Sequence, residues 1–327
     1  MLGLVLSLAF SAFAFQAPVL SGPTSFDPAS FTSSINHYYD HPGSLPPAVK
    51  KKLSAFDYVF VAGFLSEVIP GYFKDNVQFL VDQGVPVSRI KKVFPPSKND
   101  VLTNADVILR SVTEHRDRSA RKVVILAHSK GALEALTFAL RDPKVFLDHV
   151  EALFLLQGPL GGSPVADYIS GVGVPVDSKM PQPYRALFEN IDKVGGWTSC
   201  WTGNGLSALV RSTAKAGLTD LLEDLQKDET NAADIRKMSD RIFYIQSRKN
   251  PRDMTFAVRA AGWYLETYYG ENDGLVLTAD QVFSGVGTSL TILRADHADL
   301  TNPTPVARTP KALREALMSA IAHGLVP

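Results

Sequence analysis

Lys122-Val123-Val124-Ile125-Leu126-Ala127-His128-Ser129-Lys130-Gly131 is the stretch that decides the fold of this chain. The five apolar residues Val123 to Ala127 run without alternation, which predicts a strand covered on both faces, as in a parallel sheet flanked by helices. Gly131 to Leu140 then reads as a buried helix. Ser129 stands at the joint. Ala127 and Gly131 flank it two positions to either side, where a bulky side chain would collide as the chain reverses. Ala-x-Ser-x-Gly set inside strand, turn and helix is a relaxed form of the nucleophile elbow, a sharp turn that lifts a serine hydroxyl above the end of a sheet. The competing reading of Ser129 is a helix N-cap, a role that serine fills well.

Working outward, Tyr58 to Ala62, Ile90 to Phe94, Ala152 to Leu156, Ile242 to Ile245 and Leu290 to Leu293 read as further strands. Tyr72 to Asp82, Val101 to Glu114 and Thr255 to Tyr268 carry helical spacing between them. This alternation predicts an α/β fold, a doubly wound and mostly parallel sheet with helices on both faces. A last helix starts at Thr309-Pro310, an N-cap and first-turn pair, and buries Ala312, Leu313, Ala316, Leu317, Ala320 and Ile321 on one face. Residues 15–53 are rich in Pro, Ser and Gly and predict an irregular arm laid over the main domain, residues 54–327. Between Gln157 and Asp240 the rhythm breaks for longer than an ordinary connection. A cap or lid inserted at about residues 165–240 is the expectation, with a plain packed subdomain as the alternative. Within it, Leu218 to Leu225 has a narrow apolar stripe suited to covering a site or to packing on a neighbouring helix.

The chain has 327 residues, with 33 Lys and Arg against 33 Asp and Glu, enough for one large α/β domain. Balanced charge leaves no net field for nucleic acid. Leu2 to Phe15 is uncharged and apolar, and Ala12-Phe13-Ala14 offers small residues at both positions a signal peptidase reads, so residues 1–14 predict a cleaved secretory signal. The run is shorter than the roughly 20 residues needed to span a bilayer. Export to the periplasm or beyond is expected. Cys200, the only cysteine, excludes an internal disulfide; between Trp197 and Trp201 it reads as a partly buried apolar residue rather than a reactive thiol.

A serine hydroxyl is a weak nucleophile and needs a base within hydrogen-bond reach, itself oriented by a third group. Of the seven histidines, His37 and His41 fall in the arm, His115, His149 and His323 on helices or loops, and His128 next to the serine, where neighbours in a sharp turn point apart. His297 follows the late strand Leu290 to Arg294 in Ala295-Asp296-His297-Ala298-Asp299, at the strand end where such sheets build their sites. Chain order for this architecture places the acid between serine and histidine. Asp273, in Asn272-Asp273-Gly274-Leu275-Val276, fits that order, whereas Asp296 adjoins the histidine too closely to reach its ring. Two backbone N–H groups suit a developing oxyanion: that of Lys130, and one from the loop Ala62-Gly63-Phe64-Leu65.

Together these blocks resemble the secreted triacylglycerol lipases of bacteria, within the α/β-hydrolase superfamily. Ala127-His128-Ser129-Lys130-Gly131 is similar to the family's G-H-S-x-G, and Gly158-Pro159-Leu160-Gly161-Gly162-Ser163-Pro164-Val165-Ala166-Asp167 to the block after its next strand. Asn272 to Val276 and His297-Ala298-Asp299 match the blocks carrying the family acid and histidine. The resemblance implies Ser129 as nucleophile, His297 as base and then acid, Asp273 as orienting carboxylate, and the N–H groups of Phe64 and Lys130 as the oxyanion hole. It departs from the family at Ala62, where lipases carry a histidine, and at Ala127, in place of the first elbow glycine. No cofactor is required for such chemistry. Some relatives hold a structural calcium through an aspartate that Asp299 matches and another that Asp253 matches loosely. The expectation is an ester hydrolase, acting on lipid or other small esters and touching lipid surfaces transiently. A non-catalytic binding protein on the same fold, or an amidase or thioesterase using the same residues, are the alternatives.

Overall fold

The computed structural model describes residues 26–43, 45–190, 204–227, 231–302 and 311–325. The predicted signal segment, the Trp197 to Trp201 stretch with Cys200, and Thr309-Pro310 lie outside them. Six strands, β1 (Asp57–Val61), β2 (Ile90–Val93), β3 (Val123–His128), β4 (Val150–Leu156), β5 (Ile242–Arg248) and β6 (Thr288–Arg294), form one sheet in the order β2-β1-β3-β4-β5-β6, every pair parallel. Unbroken apolar runs place every second residue in a different layer. Tyr58, Phe60, Val124, Leu126, Phe154 and Leu156 enter one core; Val59, Val61, Ile125, Ala127, Leu153 and Leu155 enter the other.

The first core is covered by α1 (Pro28–Asp40), α2 (Pro47–Leu53), α3 (Lys74–Asp82) and the last helix, α13 (Lys311–Gly324). The second is covered by α4 (Val101–Ser119), α5 (Lys130–Arg141), α6 (Pro143–His149), α10 (Arg211–Gln226) and α11 (Asn231–Ser239). Short α7 (Pro164–Ile169), α8 (Tyr184–Glu189) and α9 (Asn204–Ser207) follow β4, and α12 (Phe256–Tyr268) follows β5. From β1 the chain runs outward to β2 and then returns past β1 to β3. Such a switch opens a crevice outside the carboxyl ends of the two strands. Ser129 and the loop after β1 both emerge there.

Two expectations change. The segment 28–53 is not an irregular arm: Asp27 caps α1 by accepting the Ser30 N–H at 2.8 Å, Pro28 holds the first turn, and Phe31 and Ile35, four residues apart, are buried against the sheet and α13. Its other faces are polar, so only this thin stripe announces it. Nor is 211–240 part of a cap. Ala214, Leu218 and Leu222 of α10 are buried in the same core as α5, and α11 packs on α6, so both helices belong to the layer that crosses from β4 to β5. Separate from both cores is a small cluster in which Val165, Met180 and Phe188 pack on Ala260, Tyr264 and Leu265 of α12, with the Phe188 and Tyr264 rings stacked at 4.4 Å.

Because Phe31 is core rather than drapery, Phe31→Ala should cost roughly 3–5 kcal/mol of unfolding free energy. Denaturant melts of the two proteins measure it, and a loss below about 1 kcal/mol would return the segment to a peripheral role.

Candidate active site

The chain reverses at Ser129 with φ 57 and ψ −132, a conformation that costs a non-glycine residue about 1–3 kcal/mol. Backbone bonds pin it, the Ser129 N–H donating to Leu156 O at 3.0 Å and the Ala132 N–H donating to Ser129 O at 2.9 Å. Small neighbours make room. A Cβ at Gly131 would lie 2.5 Å from the carbonyl oxygen of Ala62, and one at Gly63 would lie 2.6 Å from the Cβ of Ser129. Ser129 occupies the N-cap position of α5, yet its hydroxyl makes no capping bond.

Instead the Ser129 hydroxyl donates to Nε2 of His297 at 2.8 Å, and His297 Nδ1 donates to Asp273 Oδ2 at 2.9 Å. Asp273 is fully buried and held by three more donors, the N–H groups of Leu275 and Val276 on Oδ1 and Nε2 of Gln281 on Oδ2 at 3.2 Å. The His297 N–H donates to the carbonyl of Asp273 at 2.8 Å, which locks the two loops together. The structure thus brings Ser129, Asp273 and His297 into one line. Such a line can draw the proton from a hydroxyl while the carboxylate stabilises the resulting imidazolium. Asp296 is committed elsewhere, accepting from Thr255 N at 2.8 Å, Ala298 N at 3.1 Å and Lys249 Nζ at 3.2 Å. His115 sits at the opposite edge of the sheet, 3.6 Å from Asp57.

Lys130 is the first residue of α5, where backbone N–H groups have no acceptor within the helix. Phe64 lies in the turn after β1, and the residues either side of it are tied down. The Gly63 N–H donates to the Tyr72 hydroxyl at 3.1 Å, and the Leu65 N–H to Ser97 Oγ at 2.7 Å. Glu67 in turn accepts both the N–H and the hydroxyl of Ser97, each at 2.6 Å. The Lys130 ammonium is buried, donating to Asn99 O at 3.0 Å and pairing with Glu134. Burial pushes the Glu134 carboxyl up to about 7 even beside that ammonium. Sequence reading missed the supporting residues Tyr72, Gln157, Lys249 and Gln281. Only Gln157 carries a local signal, a polar residue directly after the apolar strand β4.

The aspartates suggested for calcium do not fit that ion. Asp253 is half-exposed and accepts from Arg294 at 3.1 Å, whereas buried Asp299 accepts from Lys249 Nζ at 2.6 Å and from the Asp296 N–H at 2.9 Å. Calcium takes a shell of oxygens, but here an ammonium already lies between Asp296 and Asp299. Among the described residues no group of three or more His, Cys, Asp or Glu side chains is arranged to hold a metal.

No protein-family model and no curated protein sequence matches the chain. Solved structures do. A metagenomic carboxyl esterase is 22% identical with a TM-score of 0.56, the match covering 86% of this chain and 76% of that one. Lipase 1 of Pelosinus fermentans is 13% identical with a TM-score of 0.54, covering 82% and 99%. A lipase of Bacillus licheniformis in mature form is 18% identical with a TM-score of 0.51, covering 78% and 87%. At these identities the likeness is one of fold.

Burial first, and then the charge of Asp299, raises the Asp296 carboxyl above its ordinary range. A raised folded-state value stabilises at low pH and is lost as pH rises through it. Lys249→Met removes the counterion, so it should cost about 3–5 kcal/mol near pH 8 and less near pH 5, where a carboxyl can take up a proton. Unfolding melts at the two pH values read the difference, and equal losses would mean that no buried charge was left unpaired.

Proposed function

We propose, on the α/β-hydrolase fold that these likenesses share, that the chain is a serine hydrolase cleaving carboxylic esters through an acyl-enzyme on Ser129. The observation that carries this reading is the unbroken line from the Ser129 hydroxyl through His297 to buried Asp273, at 2.8 and 2.9 Å. Ser129 Oγ attacks the ester carbonyl as its proton passes to His297 Nε2. Asp273 keeps Nδ1 protonated and stabilises the imidazolium. The N–H groups of Phe64 and Lys130 are the donors that this reading assigns to the oxygen that becomes negative. Collapse of the intermediate expels the alcohol, which takes the proton from His297. A water then surrenders a proton to the same nitrogen, attacks the acyl-enzyme, and frees the acid and Ser129.

Residues 164–190 form the cap in this reading, supported by their own apolar cluster on α12. Lipid esters are the substrate class we favour, in keeping with the sequence resemblance. Transient contact with a lipid surface belongs to the same reading and rests on the sequence resemblance. Export follows from the predicted signal segment.

A p-nitrophenyl ester series on the purified protein should show turnover, and Ser129→Ala should lower it by on the order of 10⁶. Absence of turnover at every chain length, or undiminished turnover in the variant, would sink the reading. Wild-type protein that fails to label with a fluorophosphonate would point to the non-catalytic alternative, since only an activated serine reacts. Amide and thioester analogues in the same assay separate the leaving groups.

A further inference from the structure

We propose that His128, the residue before the nucleophile, is a second histidine held neutral as the pivot of a buried relay, Gly63–Tyr72–His128–Gln157–Asp296, that fixes the turn bearing Phe64 against the loop bearing His297. This assignment rests on the serine-hydrolase reading of the site, which uses His128 nowhere.

One fixed end and a neutral His128 ring together set the direction of every hydrogen bond in the relay. The carbonyl oxygen of Asp296 accepts only, so the group of Gln157 that meets it at 2.9 Å is the amide nitrogen. The same nitrogen donates to Ser247 Oγ at 2.5 Å. Gln157 Oε1 therefore faces His128 Nε2, 3.0 Å away, and requires a proton there. A histidine protonated at Nε2 and neutral is bare at Nδ1. Nδ1 then accepts from the Tyr72 hydroxyl at 2.5 Å, which leaves the Tyr72 oxygen to accept the Gly63 N–H at 3.1 Å.

Gly63, Tyr72, His128, Gln157 and Asp296 are all buried. Half-satisfied polar groups are costly in such surroundings, so the relay has one arrangement rather than several. Its two ends are the elements that the chemistry needs in register, the peptide before Phe64 and the residue before His297. The ring of His128 also lies 4.8 Å, centroid to centroid, from that of His297. A charge on His128 would oppose the imidazolium that His297 must form. Burial, and then His297 itself, hold His128 well below the ordinary imidazole range. Tyr72, His128 and Gln157 are thus positioning residues, acting through the Phe64 turn and the His297 loop.

Tyr72→Phe removes the acceptor for Gly63 N–H while keeping the ring. Its kcat should fall about 10-fold to 100-fold with KM changed less than about two-fold, the pattern of a displaced oxyanion donor. Affinity for an alkylboronic acid, which mimics the tetrahedral intermediate, should fall by the same factor. A merely structural role would lower the melting temperature without moving either. His128→Asn retains an acceptor near the Nδ1 position and should keep more activity than His128→Leu. Histidine ¹⁵N shifts of the wild-type protein give a reading that needs neither a variant nor turnover: His128 should stay in the Nε2–H form between about pH 5 and 9. Wild-type kcat in Tyr72→Phe, equal activity in the Asn and Leu variants, or titration of His128 near neutral pH would each overturn the relay. A wild-type protein without esterase turnover would instead overturn the reading of Ser129, and the ¹⁵N shifts would still decide the relay.

Discussion

The whole site depends on one steric constraint, the close approach of three chain segments around Ser129. The end of β1, the end of β3 and the start of α5 meet where Gly63 and Gly131 leave no room for a Cβ. Only with those positions bare can Ser129 adopt its positive φ and stand clear of the sheet. The strain is carried by the two most buried strands, so it is the rigidity of the sheet's centre that holds an unfavourable turn in place. Around Ser129 stand the Phe64 turn, which leaves β1, and the His297 loop, which leaves β6, and His297 is in turn held by Asp273 from the turn after α12.

Ion pairing adds a second layer of order beneath those loops. Lys249 bridges Asp296 and Asp299 on the His297 side, and Lys130 pairs with Glu134 below the Phe64 side. Burying such pairs gains little over apolar packing, but breaking one leaves an uncompensated charge. They therefore act as registers, penalising displacement of the loops more than they stabilise the fold. The lysine between Asp296 and Asp299 also shows why an aspartate in a family-like position is weak ground for a metal. The decisive residue, Lys249, is about fifty positions away in sequence, beyond the reach of any local spacing rule.

How much was legible follows from the range of each signal. β1, β3 and β4 could be read because a strand buried on both faces writes an unbroken apolar run into the sequence. The meeting of Ser129, Asp273 and His297 in space could be read because small-residue spacing, chain order and position after a strand are all local or ordinal. α1 was missed because Phe31 and Ile35 are a thin stripe within a segment rich in proline and serine. The segment 211–240 was read as part of a cap because an amphipathic helix looks the same whether it covers a site or, like α10, lies on the sheet. Tyr72 and Gln281 were invisible for a deeper reason. Their importance is a matter of which hydrogen-bond partner they meet in space, and no spacing in the chain encodes that.

β6 is the outermost strand on its side of the sheet, and its burial alternates where β3 and β4 are buried almost throughout. His297 hangs from this strand, while Ser129 hangs from the centre. The two partners of one hydrogen bond thus belong to parts of the protein with unequal resistance to local opening. Fraying at the sheet edge would separate them long before the core gives way. Loss of function on heating would then report the edge, not the melting of the domain, and thermal inactivation and thermal unfolding become two different properties of the same molecule.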